Sequence, residues 1–202
     1  MEDELMDVVD RRDNVIGKKR RSALYAEGSQ NSRVINVFLV NEKRQIWTPR
    51  RCAHKRLFPM HLDMSCGGHV MSGESYEEAF QREVKEELNI DIRQSTWHLL
   101  GHLSPYDHGV SMFMKVYVIL GNETPRWNSD DFVEAYWLWP WEIMDRIRAG
   151  EKVKGDLPLL VENFFNVPEK NKQCTVTNDP GSLSAFWTEK RILSPGYSRE
   201  KG

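Results

Sequence analysis

Residues 68–90 read GHVMSGESYEEAFQREVKEELNI, with Gly68 at one end, Glu74 inside it, and the run Arg82-Glu83-Val84-Lys85-Glu86-Glu87 near the other. Ser75 precedes a run of helix formers, and Glu77 and Glu78 occupy what would be a first turn, where negative charge is favoured. The pattern predicts a helix that starts at Ser75 and continues through Leu88. At about 100° per residue, Phe80, Val84 and Leu88 fall on one stripe, with Glu83, Glu86 and Glu87 on an arc beside it. One face packs; its neighbour is acidic. Like charges at i, i+3 and i, i+4 repel, so these glutamates need a counter-charge. Arg82 and Lys85 supply one if the face is simply solvated. The other solution is a hard dication such as Mg²⁺ or Mn²⁺, which takes oxygen ligands and bridges carboxylates to phosphates.

Working outward, the 202 residues suffice for one domain with a substantial core and an appended tail. Lys+Arg 28 against Asp+Glu 30 gives a formal charge of -2, which argues against a nucleic-acid binder driven by phosphate neutralisation and for a small-molecule partner. Cys52, Cys66 and Cys174 are odd in number and show no zinc spacing. The start, MEDELMDVVD, has neither a basic segment nor an apolar stretch. A reducing, cytoplasmic setting without a membrane span is the expectation.

Met6 to Asp10 and Val15 to Ile16 flank the turn signal Arg11 to Asn14 and predict an N-terminal hairpin. Val34 to Val40 and Gln45 to Pro49 read as strands around the turn Asn41 to Arg44, and Trp97 to Ser104, Val110 to Leu120 and Ala135 to Trp139 as three more. Pro140 to Ala149 and Pro158 to Asn166 read as helices. Strands mixed with helices point to an α/β sandwich. Residues 1–166 are expected to form the domain, and the polar stretch 167–202 an irregular tail.

Gly68, Glu74, Arg82, Glu83, Val84, Glu86, Glu87 and Ile90 together fit G-x5-E-x7-R-E-U-x-E-E-x-G-U, with U aliphatic, so the segment resembles the signature of the Nudix hydrolase superfamily. Asn89 replaces the glycine of that signature, a mild change at a helix end where the left-handed region is needed. The resemblance implies a Nudix fold, an α/β/α sandwich with a mixed β-sheet. It also implies hydrolysis of a phosphoanhydride bond with Mg²⁺ or Mn²⁺. Glu83, Glu86, Glu87 and the Gly68 carbonyl would hold the metal, Glu86 or Glu87 would orient the water, and Arg82 would lock the loop by pairing with Glu74. Glu134 is an alternative base outside the motif.

Arg50 to Pro59, followed by Leu62 to His69, is similar to the isopentenyl-diphosphate isomerase-like branch of that superfamily, which contains isomerases and diphosphate hydrolases. There Arg51 and Lys55 match cations that approach a substrate diphosphate, and His69 is a further phosphate candidate. The isomerase chemistry meets obstacles. Gly67 stands where the isomerases carry a cysteine, and Cys66 lies one residue earlier, pointing the other way along an extended segment. Histidines expected between Leu24 and Arg33 are missing, and Val110 to Leu120 carries no carboxylate. The full glutamate set favours a hydrolase acting on a nucleoside diphosphate linked to another moiety; an isomerase and a non-catalytic diphosphate-binding module are the alternatives.

Other residues carry less. His98 and His102 flank Leu99-Leu100 in an expected strand and make poor metal ligands, Lys18 to Arg21 reads as a solvated turn, and Trp127 is a candidate for stacking on a base. The tryptophan-rich edges are compatible with a homodimer.

Overall fold

The computed structural model describes residues 3–165 and Val167; apart from Val167, the tail expected over 167–202 lies outside them. The chain runs β1 (Leu5–Val9), β2 (Val15–Arg20), α1 (Arg21–Ala26), β3 (Arg33–Val40), β4 (Ile46–Arg51), β5 (Cys66–His69), α2 (Tyr76–Leu88), β6 (Thr96–Leu103), α3 (Pro105–His108), β7 (Phe113–Leu120), β8 (Phe132–Leu138), α4 (Pro140–Arg148) and α5 (Leu157–Phe164). The hairpin and the expected strands and helices are present. Three differences stand out. Lys18 to Arg20 extend β2 and Arg21 opens α1, so the basic run is not a turn. The segment before the acidic helix is a short strand, β5. The loop from Pro105 holds a single helical turn, α3.

β3 is buried on both faces, which explains its unbroken apolar run. It pairs in parallel with β7 along its whole length, from Arg33↔Phe113 to Val40↔Leu120, and antiparallel with β5, from Val34↔His69 to Val37↔Cys66. β4 meets β3 only at Val40↔Ile46 and then leaves it to pair with β8. The buried Ser65 bridges this split, accepting from the Leu39 amide at 2.8 Å and donating to the Trp47 carbonyl. Below the split, β5 presents an edge that β4 does not cover.

Alternation along β3 sends Ile35, Val37 and Leu39 to the core beneath α2, where they meet Phe80, Val84 and Leu88. Phe80 stacks on Tyr117 with ring centres 4.3 Å apart. Phe38 faces the opposite layer and meets Phe165 edge-on at 4.9 Å, beside the buried Leu160, Val161 and Phe164 of α5. The result is an α/β/α sandwich around a mixed sheet. α2 is held at both ends. Ser75 and Glu78 form a reciprocal capping box, and Asn89 closes the helix in the left-handed region at φ 55°.

Candidate active site

Cys66 and Gly68 share one face of β5, the face on which α2 packs, and Glu83 and Glu87 lie one helical turn apart opposite them. The fit leaves no room at Gly68. A Cβ there would stand 1.9 Å from the Glu83 Oε1, so only glycine lets this carboxylate reach the strand backbone. The Gly67 amide donates to Glu87 Oε2 at 3.2 Å. Because that N–H serves Glu87, Glu87 reaches the β5 edge left open by the split.

Both carboxylates are desolvated. Burial pushes the Glu87 pKa up to about 8, reinforced by the negative charges of Glu83, Asp131 and Asp63 and opposed by a hydrogen bond from the Cys66 thiol. Burial also raises Glu83, against the pull of Arg82. Glu86 is different: its side chain is 59% exposed and sits 3.5 Å from Arg82 Nη1.

Arg82 ties the preceding loop to the helix. Its Nε and Nη2 donate to the two oxygens of Glu74 at 2.8 and 2.9 Å, Nη1 donates to Glu83 at 2.6 Å, and Nη2 also donates to the His69 carbonyl at 2.9 Å. Such a fork fixes direction as well as charge. The His69 ring meets the Tyr25 hydroxyl of α1 at 3.0 Å, and burial plus the charges of Arg21, Lys154 and Arg82 push its pKa down to about 3, leaving it neutral.

The cations come from elsewhere. Arg51, at the end of β4, donates to Asp63 at 2.7 Å and to the Leu57 carbonyl at 3.2 Å, and Lys55 pairs with Asp131. Both aspartates act electrostatically on Glu87, so the two ion pairs border the same carboxylate. Asp63, Asp131 and Lys154 escape a reading of the sequence because no local period marks them. Lys154 Nζ lies 3.2 Å from Asp63 and 3.6 Å from where a Gly67 Cβ would stand.

Several other residues are occupied. Glu134 lies within β8 and pairs with Arg50, which lowers its pKa. The Trp127 indole donates to the Phe132 carbonyl at 3.1 Å and packs against the core. His102 meets Asp13 at 3.0 Å. The Cys66 thiol is buried against Glu87 and raised well above its ordinary range by burial.

Among the described residues no three carboxylate, imidazole or thiol groups form a ready-made cage for a metal ion. The donor chemistry nevertheless fits a hard dication. Glu83 and Glu87 present oxygen donors one helical turn apart against the glycine strand, and a dication would offset the burial that disfavours their charged forms.

A split mixed sheet, a glycine strand at the split and a capped acidic helix locked by an Arg–Glu fork define an α/β/α domain of the Nudix class. The comparisons agree with that assignment. The NUDIX domain family matches residues 30–158. An uncharacterized Nudix hydrolase of Nostoc sp. is 50% identical over 162 residues, covering 80% of this chain and 96% of the relative. A Nudix hydrolase of Deinococcus radiodurans is 45% identical over 169 residues, covering 83% and 97%. The crystal structure of DR0079 from Deinococcus radiodurans superposes with a TM-score of 0.78 at 44% identity, covering 81% of this chain and 100% of that one. The chain belongs to the Nudix family. Among the described residues no helix is long and apolar enough to cross a membrane.

Proposed function

We propose that this protein is a pyrophosphohydrolase that uses Mg²⁺ or Mn²⁺ to cleave a phosphoanhydride bond in a nucleoside diphosphate linked to another moiety. The observation that carries this reading is the pair of half-buried carboxylates, Glu83 and Glu87, set against the Gly67–Gly68 backbone. Glu83, Glu86, Glu87 and the Gly68 carbonyl would hold the cation, which supplies charge neutralisation and Lewis acidity at the phosphate when bound. The water oxygen bonds to phosphorus, the bridging P–O bond breaks, and the water proton passes to a carboxylate. Glu87 suits that last role by position, since the Gly67 amide fixes its carboxylate at the open edge of β5. Glu86 is the exposed alternative. Glu134 is a weaker base, since its partner Arg50 stabilises the charged form.

Arg51, Lys55 and His69 serve the phosphates in this reading, and Arg82 with Glu74 keeps the glycine strand in register with the helix. A small molecule rather than a nucleic acid follows from the chain's near-neutral charge. The isomerase-like branch remains a resemblance over roughly residues 5–165, strongest over 50–92. Its isomerase chemistry is further weakened by Cys66, whose buried thiol faces Glu87 and is held protonated. The test is a panel of nucleoside diphosphate derivatives with Mg²⁺ or Mn²⁺. Metal-dependent release of phosphate-bearing products, lost in Glu87→Gln, supports the proposal. Conversion of isopentenyl diphosphate to its isomer, or tight binding without turnover for every metal, replaces it.

A further inference from the structure

Gly67 is where the two charge signs meet. Its N–H donates to Glu87 on the open edge of β5, and its Cα face looks onto Lys154 Nζ and Asn36. Lys154 is brought there by backbone pairing rather than by chance. Leu62 forms a parallel bridge with Val153, the Leu62 amide donates to the Lys152 carbonyl at 2.9 Å, and the Lys154 amide donates to the Leu62 carbonyl at 2.8 Å. On the other side the Asp63 amide donates to the Pro49 carbonyl at 2.9 Å and Arg50 bridges Leu62. The segment around Asp63 is thus laced between β4 and residues 152–154.

One consequence is that a single buried carboxylate holds two cations from distant parts of the chain. Asp63 is 4% exposed; Oδ2 accepts from Arg51 at 2.7 Å, while Oδ1 lies 3.2 Å from Lys154 Nζ and accepts from the Met64 amide at 2.8 Å. Arg51 spends a second donor on the Leu57 carbonyl. Lys154 is less committed. Among the described residues Asp63 is its one partner within ion-pair distance, the contact is long for a charged pair, and its side chain keeps 23% exposure. An ammonium has three donors, so most of its capacity is free. The same charge acts on the Cys66 thiol and the His69 ring.

We propose that Lys154 is a substrate-binding residue that takes a diphosphate oxygen across Gly67, and that Asp63 is a positioning residue that sets Lys154 and Arg51 on either side of it. This rests on the reading of the candidate site as a diphosphate site. Glycine at 67 lets Asn36 and Lys154 approach the strand backbone closely, since a Cβ there would stand 2.9 Å from Asn36 Oδ1 and 3.6 Å from Lys154 Nζ. An arriving diphosphate offers Lys154 stronger acceptors than the distant Asp63 oxygen, while Asp63 stays neutralised by Arg51.

The probe is inorganic pyrophosphate, titrated calorimetrically into the full chain with and without Mg²⁺, in parallel with turnover on the substrate panel. Lys154→Met is expected to weaken pyrophosphate binding about tenfold or more, the loss of one charge-assisted contact. Lys154→Arg should recover most of it. Asp63→Asn should weaken binding too, and its effect should shrink in the Lys154→Met background because both act through the same contact. Melting curves report whether each variant is folded, and Lys154→Gln, with the same expected loss, carries the comparison if Lys154→Met is not. Unchanged pyrophosphate affinity in folded Lys154→Met overturns the binding role. Tighter binding by Asp63→Asn overturns the positioning role, since Asp63 would then be a competitor. Because the probe needs no turnover, weakened binding in Lys154→Met stands even if no panel substrate is hydrolysed.

Discussion

On the acidic side of the candidate site, Glu83, Glu86 and Glu87 come from five consecutive residues of one helix. On the cationic side, Arg51, Lys55 and Lys154 come from the end of β4, the loop after it and the connection between α4 and α5. The acids are also left short of charge, with Glu83 and Glu87 both raised by burial. The cations are neutralised in advance by Asp63 and Asp131. In the proposed reading the acidic side gains most from a cation, and the cationic side holds its shape before an anion is bound.

If that contrast is right, Glu87→Gln should have the greatest effect of any change at the site. Loss of a positioned base or ligand should lower turnover by about 10² to 10⁴. Thermal stability should hold or rise, because an amide of the same shape replaces a carboxylate that burial disfavours. Rates and melting curves on one preparation check both halves. A large drop in melting temperature would mean that the acidic side is structural.

Arg51→Gln should act through binding. It removes the fork that Asp63 orients, so KM for a diphosphate substrate should rise about tenfold with kcat little changed, the signature of uniform binding lost. Steady-state kinetics separate the two constants. An equal fall in kcat would place Arg51 in the transition state and remove the division of labour between the sides.

The same contrast explains what the sequence discloses. The helix, its Ser75 cap, the Asn89 end and the acidic face are set by spacings within a few residues, so they are legible as periods. Strand β3 is legible as an apolar run. The departure of β4 toward β8 is not, because the bridge across the split comes from Ser65, which lies 26 residues from Leu39 and 18 from Trp47 in the chain. Lys154 is hidden for the same reason. Its place beside Gly67 is fixed by the pairing of Leu62 with Val153, and nothing within its own stretch of sequence marks it. β5 passes for a loop because its two glycines weaken any strand signal, although the closeness of Glu83 requires glycine at 68.

The shortage of charge on the acidic side should also appear as a pH dependence of stability. Glu87 rises from 4.5 to about 8 on folding, so between these values the folded protein keeps a proton that the unfolded chain has lost. Stability should then fall as pH rises, by up to about 1.4 kcal/mol per pH unit. His69, lowered from 6.5 to about 3, works in the opposite sense up to pH 6.5. The clean window is therefore pH 6.5 to about 8. Metal-free protein followed by urea denaturation should show the decline, and Glu87→Gln should flatten it. A decline equally steep in the variant would assign it to another group.

The smallest effect belongs to the end of the same helix. Asn89 sits at φ 55°, receives no help from the core, and donates its amide to the Lys85 carbonyl at 3.1 Å while its side chain accepts from Lys85 Nζ at 2.7 Å. A left-handed conformation costs an ordinary side chain about 1 to 2 kcal/mol, less for asparagine and nothing for glycine. Asn89→Ala should therefore lower stability by about 1 kcal/mol. Asn89→Gly should change it by only about half that, since relief of strain is offset by the freer unfolded chain and the lost surface bond to Lys85. Turnover should be unaffected in both, because Glu83 and Glu87 are fixed by β5 and Arg82 rather than by the helix end. A loss of activity in Asn89→Gly at unchanged stability would show that the position of the glutamates depends on how the helix terminates, and that the acidic side, too, is assembled over a longer range than its spacing suggests.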